Sequence, residues 1–381
     1  MNILVLNSGS SSIKFELFSM DPLARLTEGH LERIADHREG FEQVLRAIGD
    51  SGMLRGATGL FGIGHRVVHG GEAFREAVRI DPGVIAAIRS MIPLAPLHNP
   101  GNLAGIEAAF RHAPDVPQVA VFDTAFHQSM PPRAFRYALP REHYAVHRVR
   151  RYGFHGTSHA FVARRAAEML GLPSEFLNLI TLHLGNGASA AAIRGGVCID
   201  TSMGMTPLEG LMMGSRCGDL DPSVPFYLAR ATGRPAEEVE RVLNEESGLK
   251  GVCGAMDMRD VRRMEKAGDA DAALAREMYA YRVRKYIGAY FAALGRVDAV
   301  VFTAGIGEND AGIRARACDG LSALGISLDE ERNRAESREP RAIHKEGSAV
   351  RVFVIPTDEE LEIARQTVAC LRRERGPTQF P

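Results

Sequence analysis

LNLITLHLGNGASAAAI, residues 177–193, reads as an apolar strand, a glycine turn and a second strand, and MNILVLNSGSSSIKFELF, residues 1–18, has the same outline. In the N-terminal copy Ile3 to Leu6 is the first strand, NSGSSS at 7–12 the turn, and Lys14 to Phe18 the alternating second strand. Residue identity between the two is low, but a shared outline predicts two stacked α/β lobes. Working outward, helical patterns dominate from the first hairpin to about residue 112, with GVIAAIRSM at 83–91 and NLAGIEAAFRHA at 102–113, followed by the strand QVAVFD at 118–123. The Pro-, Arg- and His-rich stretch near 125–150 suits a crossing between lobes. Beyond it come helices at 158–170 and 270–294, the latter with Leu274, Met278, Ile287, Phe291 and Leu294 as its apolar positions. AVVFTAGIGEND at 299–310 is a buried strand opening into a helix, and VRVFVIP at 350–356 is the last strand. The helix at 358–373 begins with acids and ends with two arginines, matching its dipole. The expected lobes are 1–128 with a C-terminal helix at about 362–381, and 129–361.

At roughly 150 residues per core, 381 residues also give two domains. Forty-six basic residues against 47 acidic ones leave no excess field for nucleic acid or an anionic membrane, so an anionic ligand must meet a local site. Five cysteines without a C-x-x-C pair argue against a disulfide framework and structural zinc, and predict reduced thiols and a cytoplasmic address. No apolar run reaches the length of a membrane span, and MNILVL lacks a positive leader region, so a soluble, unprocessed chain is expected. Histidine is concentrated: ten of thirteen fall between His65 and His183, the first hint of a site.

Three junctions after apolar strands lack long side chains: Ser8 to Ser12, Gly185 to Gly187, and Gly305 to Gly307. Small residues let backbone N–H groups approach phosphate oxygens. No G-K dipeptide and no G-x-G-x-x-G is present, so a Walker A loop and a dinucleotide fingerprint are excluded, and a nucleotide would have to lie between lobes. Asn7, Ser10, Ser12 and Lys14 alternate through the first turn, placing hydroxyls and a cation on one side. Arg66 and Arg216 stand beside glycines and suit bidentate contact with a carboxylate or phosphoryl group. His65 with His69, and His155 with His159, have i, i+4 spacing but no H-E-x-x-H glutamate and lie among glycines, which argues against zinc.

Together with NSGSSSIK at 7–14, the stretches GHRVVHGG at 64–71, PLHNPGN at 96–102, FDTAFH at 122–127 and YGFHGTSH at 152–159 closely resemble the acetate kinase family. The likeness continues through HLGNGAS at 183–189, DTSMGMTPLEGLMMGSRCGDLDP at 200–222, FTAGIGEN at 302–309 and PTDEELEIA at 356–364, nearly end to end. It implies a two-lobed α/β fold of the actin, sugar kinase and heat-shock ATPase type with a cleft between duplicated lobes, and a homodimer built through the C-terminal lobes. It also implies ATP or ADP and acetate as substrates, with Mg2+ as the metal and Mn2+ as an alternative. Carried over by position, Asn7 and Glu359 would hold the metal, and Ser10, Ser12 and Lys14 would face the phosphates. Arg66 and Arg216 would grip carboxylate and transferring phosphoryl, His155 would donate to that phosphoryl, Asp123 matches the catalytic acid, and His98 an active-site histidine of lesser effect. His183, Leu184, Gly185, Asn186 and Gly187 match a phosphate loop. Asp257, Met258 and Arg259, with Gly305, Ile306, Gly307, Glu308 and Asn309, match the adenosine-binding segments. Val68, Leu97, Phe154 and Pro207 match the apolar pocket for a methyl group. Two departures stand out: Phe18 to Gly64 is shorter than in familiar members, and Lys250 and Cys253 replace apolar or hydroxyl residues.

The chemistry so implied suits these residues. A carboxylate nucleophile is already ionised at pH 7 and needs no base, so the task is to bring an anion to a polyanion, which calls for cations and positioning. The competing readings are a propionate or butyrate kinase of the same family, and a non-enzymatic actin-like or chaperone ATPase. The latter would not need Arg66, His98, Asp123, His155 and Arg216 together.

Overall fold

Ile3 and Val5 of the first strand pack into one apolar cluster and Leu4 and Leu6 into another, so this strand is buried on both faces and its near-continuous apolar run follows. The computed structural model describes residues 1–34, 36–52, 54 and 57–375, the last two without side chains. Residues 376–381, part of the C-terminal helix expected at about 362–381, lie outside the described residues. The chain forms two compact units. The first comprises residues 1–128 and 156–158 and the chain from Asp358 onward; the second comprises Ser129–His155 and His159–Thr357.

In the first unit β1 (Asn2–Ser8), β2 (Ser12–Met20), β3 (Leu23–Glu32), β4 (Leu60–Val67), β5 (Val78–Arg79) and β6 (Gln118–Phe122) form one sheet in the order β3-β2-β1-β4-β6-β5. In the second, β7 (Asn178–Leu184), β8 (Ala188–Arg194), β9 (Val197–Thr201), β10 (Ala299–Thr303), β11 (Arg341–Ala342) and β12 (Arg351–Val354) are ordered β11-β12-β10-β7-β8-β9. Read from the hairpin side, 3-2-1-4-6-5 and 9-8-7-10-12-11 are the same path. The parallel pairs correspond as well, β1 with β4 and β4 with β6 in one, β7 with β10 and β10 with β12 in the other. The hairpin outline seen twice in the sequence thus marks a repeated sheet topology.

The helical reading of the chain up to residue 112 missed β3 and β4. Most of β3 is exposed or half-exposed at the sheet edge, so pairing with β2 rather than an apolar pattern makes it a strand. In β4 two glycines obscure the pattern, and packing explains them. A Cβ on Gly62 would lie 2.5 Å from Leu371 Cδ1, and one on Gly64 would lie 2.4 Å from Thr367 Oγ1, both on the helix Glu359–Arg375. The helix Ala270–Leu294 has the expected span and the C-terminal part of the expected face, with Ile287 and Leu294 buried and Phe291 half-buried, but not its N-terminal part. Leu274 and Met278 are 49% and 36% exposed, whereas Ala272, Ala275, Tyr279, Val283 and Ile287 are buried. In that N-terminal part the buried positions are Ala272, Ala275, Arg276, Tyr279 and Ala280, and the helix packs on the alanine-rich β8. Among the described residues no helix is long and apolar enough to cross a membrane.

Candidate functional site

In the first unit, the C-terminal ends of two parallel strands deliver the charged pair. Arg66 lies near the end of β4, and Asp123 follows β6 directly, its N–H donating to Val67 O at 3.0 Å. Arg66 Nη2 donates to Asp123 Oδ2 at 2.7 Å, and its Nε lies 3.1 and 3.2 Å from the two carboxylate oxygens. Burial works against the guanidinium's charge, but Asp123 and Glu359 more than offset it, so Arg66 stays firmly protonated. The Glu359 carboxyl, the first residue of its helix, is held above the ordinary carboxylate range by burial, with Asp123 and Glu360 adding to the shift and Arg66 opposing it.

The loop after β4 is clamped by two asparagines quoted in the PLHNPGN stretch but given no role there. Asn102 Oδ1 accepts from Val68 N at 3.0 Å while its amide donates to Ser8 O at 2.7 Å. Asn99 Oδ1 accepts from His69 N at 3.2 Å and its amide donates to His69 O at 3.1 Å. The same helix, Asn99–His112, comes so close to the hairpin tip that a Cβ on Gly101 would meet Gly9 O at 2.5 Å. Ser10 is thereby left exposed and Ser12 half-buried on an anchored turn. His98 is exposed at the start of that helix, and Leu97 is 75% exposed while Val68 is half-buried.

Lys14, opposite Asn7 in the β1–β2 register, is engaged by carboxylates: Nζ lies 2.7 Å from Glu360 and 3.2 Å from Glu16. Glu16, Asp358 and Glu360 form an acidic group that sequence reasoning did not foresee. Arg25 joins Lys14 in neutralising it, 2.8 Å from Glu16 and 2.9 Å from Asp358. These residues are far apart in sequence, so no local spacing could have signalled them.

The i, i+4 histidines of this unit bond to different partners. His65 Nε2 is 2.7 Å from Gln118 Oε1, and His69 Nδ1 accepts from Gly71 N at 3.0 Å. Burial pushes both imidazoles down to about 4. Both are therefore neutral in the folded protein at pH 7, while an unfolded histidine gains its proton below about 6.5. With the folded values depressed, the unfolded chain binds more protons between about pH 6.5 and 4, so stability should fall as pH falls through that window. Urea midpoints should drop from pH 7 to pH 4.5, and His65→Gln should flatten that slope.

In the second unit three segments separated in sequence line one cavity of about 630 Å3: Gly185 and Asn186; Met256, Asp257, Met258 and Arg259; and Gly305, Ile306 and Asn309, joined by Arg262 and Asp310. That volume lies within the range typical of small-molecule sites. Asp257 caps its helix by accepting from Arg259 N, and the Arg259 side chain holds its carboxyl down to about 2. Of the glycine-turn residues singled out from sequence, His183, Leu184, Gly187, Gly307 and Glu308 do not line this cavity. Glu308 instead turns toward Thr357 N at 3.2 Å, and His183 stacks on His155 with ring centroids 4.1 Å apart. His155 adopts a left-handed backbone with φ of 58° at the start of its helix. A Cβ on Gly187 would lie 3.4 Å from His155 Nε2 and 3.7 Å from Arg216 Nη1.

Arg216 differs from Arg66 in its company. Its Nη1 reaches Pro207 O at 3.3 Å and Met213 Sδ at 3.8 Å, neither of them anionic, and burial lowers its pKa. Among the described residues it makes no ion pair. A desolvated cation without a counter-charge is suited to receive an anion. The loop that carries it is fixed by a network the sequence reading missed. Arg151 donates to the carbonyls of Thr201, Ser202 and Met203 at 2.8 to 3.2 Å and pairs with Glu209, which also bonds Tyr137. Asp219 accepts from Gly210 N at 2.9 Å and from Tyr286 at 2.7 Å. Pro207 is half-buried on this loop, and Phe154 is buried beside His155 in sequence.

Comparison with known proteins places this geometry in a family. The family model described as "Acetokinase family" matches residues 24–365. A protein named acetate kinase from Syntrophobacter fumaroxidans is 57% identical, with 98% of each chain covered. The crystal structure of Porphyromonas gingivalis acetate kinase superimposes with a TM-score of 0.94 at 43% identity, covering 97% of this chain and 100% of that one. A propionate kinase from Francisella tularensis gives 0.90 at 41% identity, covering 97% and 99%. With the twice-built mixed sheet, the Arg66–Asp123 pair and the glycine-lined cavity already in place, a match of this length means that the chain belongs to the acetokinase family.

Proposed function

We propose that this protein catalyses reversible, Mg2+-dependent phosphoryl transfer between ATP and acetate, giving acetyl phosphate and ADP. The observation that carries the reading is likeness over 98% of both chains to a relative named acetate kinase. An acetate oxygen attacks the γ-phosphorus in line, the bond from that phosphorus to the β–γ bridging oxygen breaks, and its electron pair leaves with ADP. No proton has to move, so Asp123 has no base to be; its role is to aim the Arg66 guanidinium that it holds through both carboxylate oxygens. Arg66 meets the carboxylate, and Arg216 and His155 meet the equatorial phosphoryl oxygens as charge spreads over them. Adenosine occupies the cavity lined by Asp257, Met258, Arg259, Gly305, Ile306 and Asn309.

Asn7 and Glu359 offer hard oxygen donors of the kind Mg2+ prefers, and Glu359 shares a single guanidinium with Asp123, a local excess of negative charge that fits a cation. When bound, Mg2+ would supply positive charge to the phosphate oxygens. Lys14, committed to Glu16 and Glu360, contributes by neutralising those acids near the hairpin tip. The family resemblance also supports a homodimer built through the second unit. None of the five cysteines is joined in a disulfide among the described residues, in keeping with the expected cytoplasmic setting.

The propionate kinase neighbour gives a second reading of the acid. Val68, Leu97, Phe154 and Pro207 are assigned to the methyl group, and one added methylene is discriminated by only roughly 1–3 kcal/mol, so propionate should be slower rather than excluded. Trapping the acyl phosphate with hydroxylamine should rank acetate first, propionate second and butyrate a poor third. Propionate or butyrate outrunning acetate would transfer the assignment to the longer acid.

A further inference from the structure

Four polar side chains of the second unit form one hydrogen-bonded file. Thr181 Oγ1 lies 2.7 Å from His159 Nδ1, His159 Nε2 lies 2.8 Å from Ser189 Oγ, and Ser189 Oγ lies 2.9 Å from His155 Nδ1. Thr181, His159 and Ser189 are all 0% exposed, so water does not compete for these bonds. The file ends at the ring whose Nε2 edge lies beside Gly187, 3.4 Å from where a Cβ on that glycine would stand.

Its composition restricts its protons. Each hydroxyl carries one hydrogen and each neutral imidazole one, so the bonds must all run in the same direction. Thr181 sets which direction. Its buried hydroxyl has His159 as its hydrogen-bond partner and no other among the described residues. Accepting from His159 would strand the hydroxyl proton without an acceptor, whereas donating satisfies it, and a buried unsatisfied donor is the costlier outcome. Thr181 therefore donates to His159 Nδ1, His159 Nε2–H donates to Ser189, and Ser189 donates to His155 Nδ1.

We propose that Ser189, backed by His159 and Thr181, is a positioning residue that fixes His155 as the Nε2–H tautomer, so that Nε2 is a hydrogen-bond donor before any substrate arrives. The functional consequence, donation to the transferring phosphoryl group, rests on the kinase reading above; the tautomer does not. The hydroxyl–imidazole–hydroxyl file does for His155 what a carboxylate does in other sites, without placing a negative charge near a phosphoryl group.

The test is long-range 15N–1H correlation spectroscopy on the full-length protein labelled in histidine, without substrate, with the His155 signals assigned by their loss in His155→Asn. Wild type should show His155 protonated on Nε2 alone. Ser189→Ala should give a mixture of both tautomers and lower kcat about 10-fold, one neutral hydrogen bond's worth, with KM for ATP unchanged. Ser189→Thr, which keeps the hydroxyl, should restore the single tautomer. Thr181→Val preserves shape and acts two bonds away; it too should mix the His155 tautomers, which a merely structural role for Ser189 does not predict, and it serves as the second variant if Ser189→Ala fails to fold. Nδ1 protonation in wild type, or an unmixed Nε2–H signal in the folded variants, overturns the proposal. Absence of acyl phosphate from the wild-type protein would instead sink the kinase reading and leave the tautomer result standing.

Discussion

Arg216→Ala is expected to lower kcat for acetyl phosphate formation by about 10³-fold, the lower end of what an arginine contributes to phosphoryl transfer, with KM for ATP changed only a few-fold. Burial depresses the Arg216 guanidinium and, among the described residues, no carboxylate compensates it; its contacts there are a carbonyl oxygen and a thioether. Such a cation gains most when negative charge develops on a neighbouring group, which places its contribution in the transition state. Its loop is held independently through Arg151 with Glu209 and through Asp219 with Tyr286, so truncating Arg216 should leave the loop in place. The thermal midpoint should accordingly move by no more than about 2 °C. Arg216→Lys keeps a charge but loses the planar fork, and should retain only part of the activity. A variant whose KM for acetate rises while kcat holds would show that Arg216 only binds the ground state.

Glycine placement explains both what the sequence discloses about this protein and what it conceals. Strand-then-glycine junctions marked Gly185, Gly305 and the hairpin turn because a backbone without side chains is a local feature, readable from neighbouring letters. Gly62 and Gly64 are glycines for a non-local reason, the approach of Leu371 and Thr367 from the far end of the chain, and they disguise β4. The helix Ala270–Leu294 misled in the opposite sense. Leu274 and Met278 looked like core positions with Ile287 and Leu294, but the buried positions of its N-terminal part are Ala272, Ala275, Arg276, Tyr279 and Ala280, which the spacing of large apolar residues does not mark. The site divides along the same line. Segments that line the cavity lie in glycine or capping motifs, while Arg151, Glu209, Tyr137, Asn99, Asn102 and Ser189 act by hydrogen bonds to partners 30 or more residues away. Lys14 belongs with these: the hairpin made its position legible, but Glu360, 346 residues on, decides what its ammonium touches.

Asp123→Asn should lower kcat/KM for acetate by about 10²-fold while leaving the shape of the pH–rate profile unchanged. As a general base Asp123 would have no proton to remove, since acetate is ionised well below neutral pH. Its two oxygens instead fix Arg66 in a bidentate grip, and Asp123 is 1% exposed, so solvent cannot stand in for it. Asparagine retains one acceptor and turns an N–H₂ toward the guanidinium, which loosens the aim of Arg66 without removing its charge. Arg66→Ala is the harsher change: it leaves a buried carboxylate unpaired and should cost about 3 kcal/mol of stability as well as acetate binding. Because Asp123 works through Arg66, the double variant Arg66→Ala with Asp123→Asn should turn over no more slowly than Arg66→Ala alone, and it should recover part of the lost stability, since the orphaned charge is gone. Additive losses in the double variant would mean that Asp123 acts on the substrates by its own route, and near-wild-type turnover in Asp123→Asn would remove its positioning role altogether.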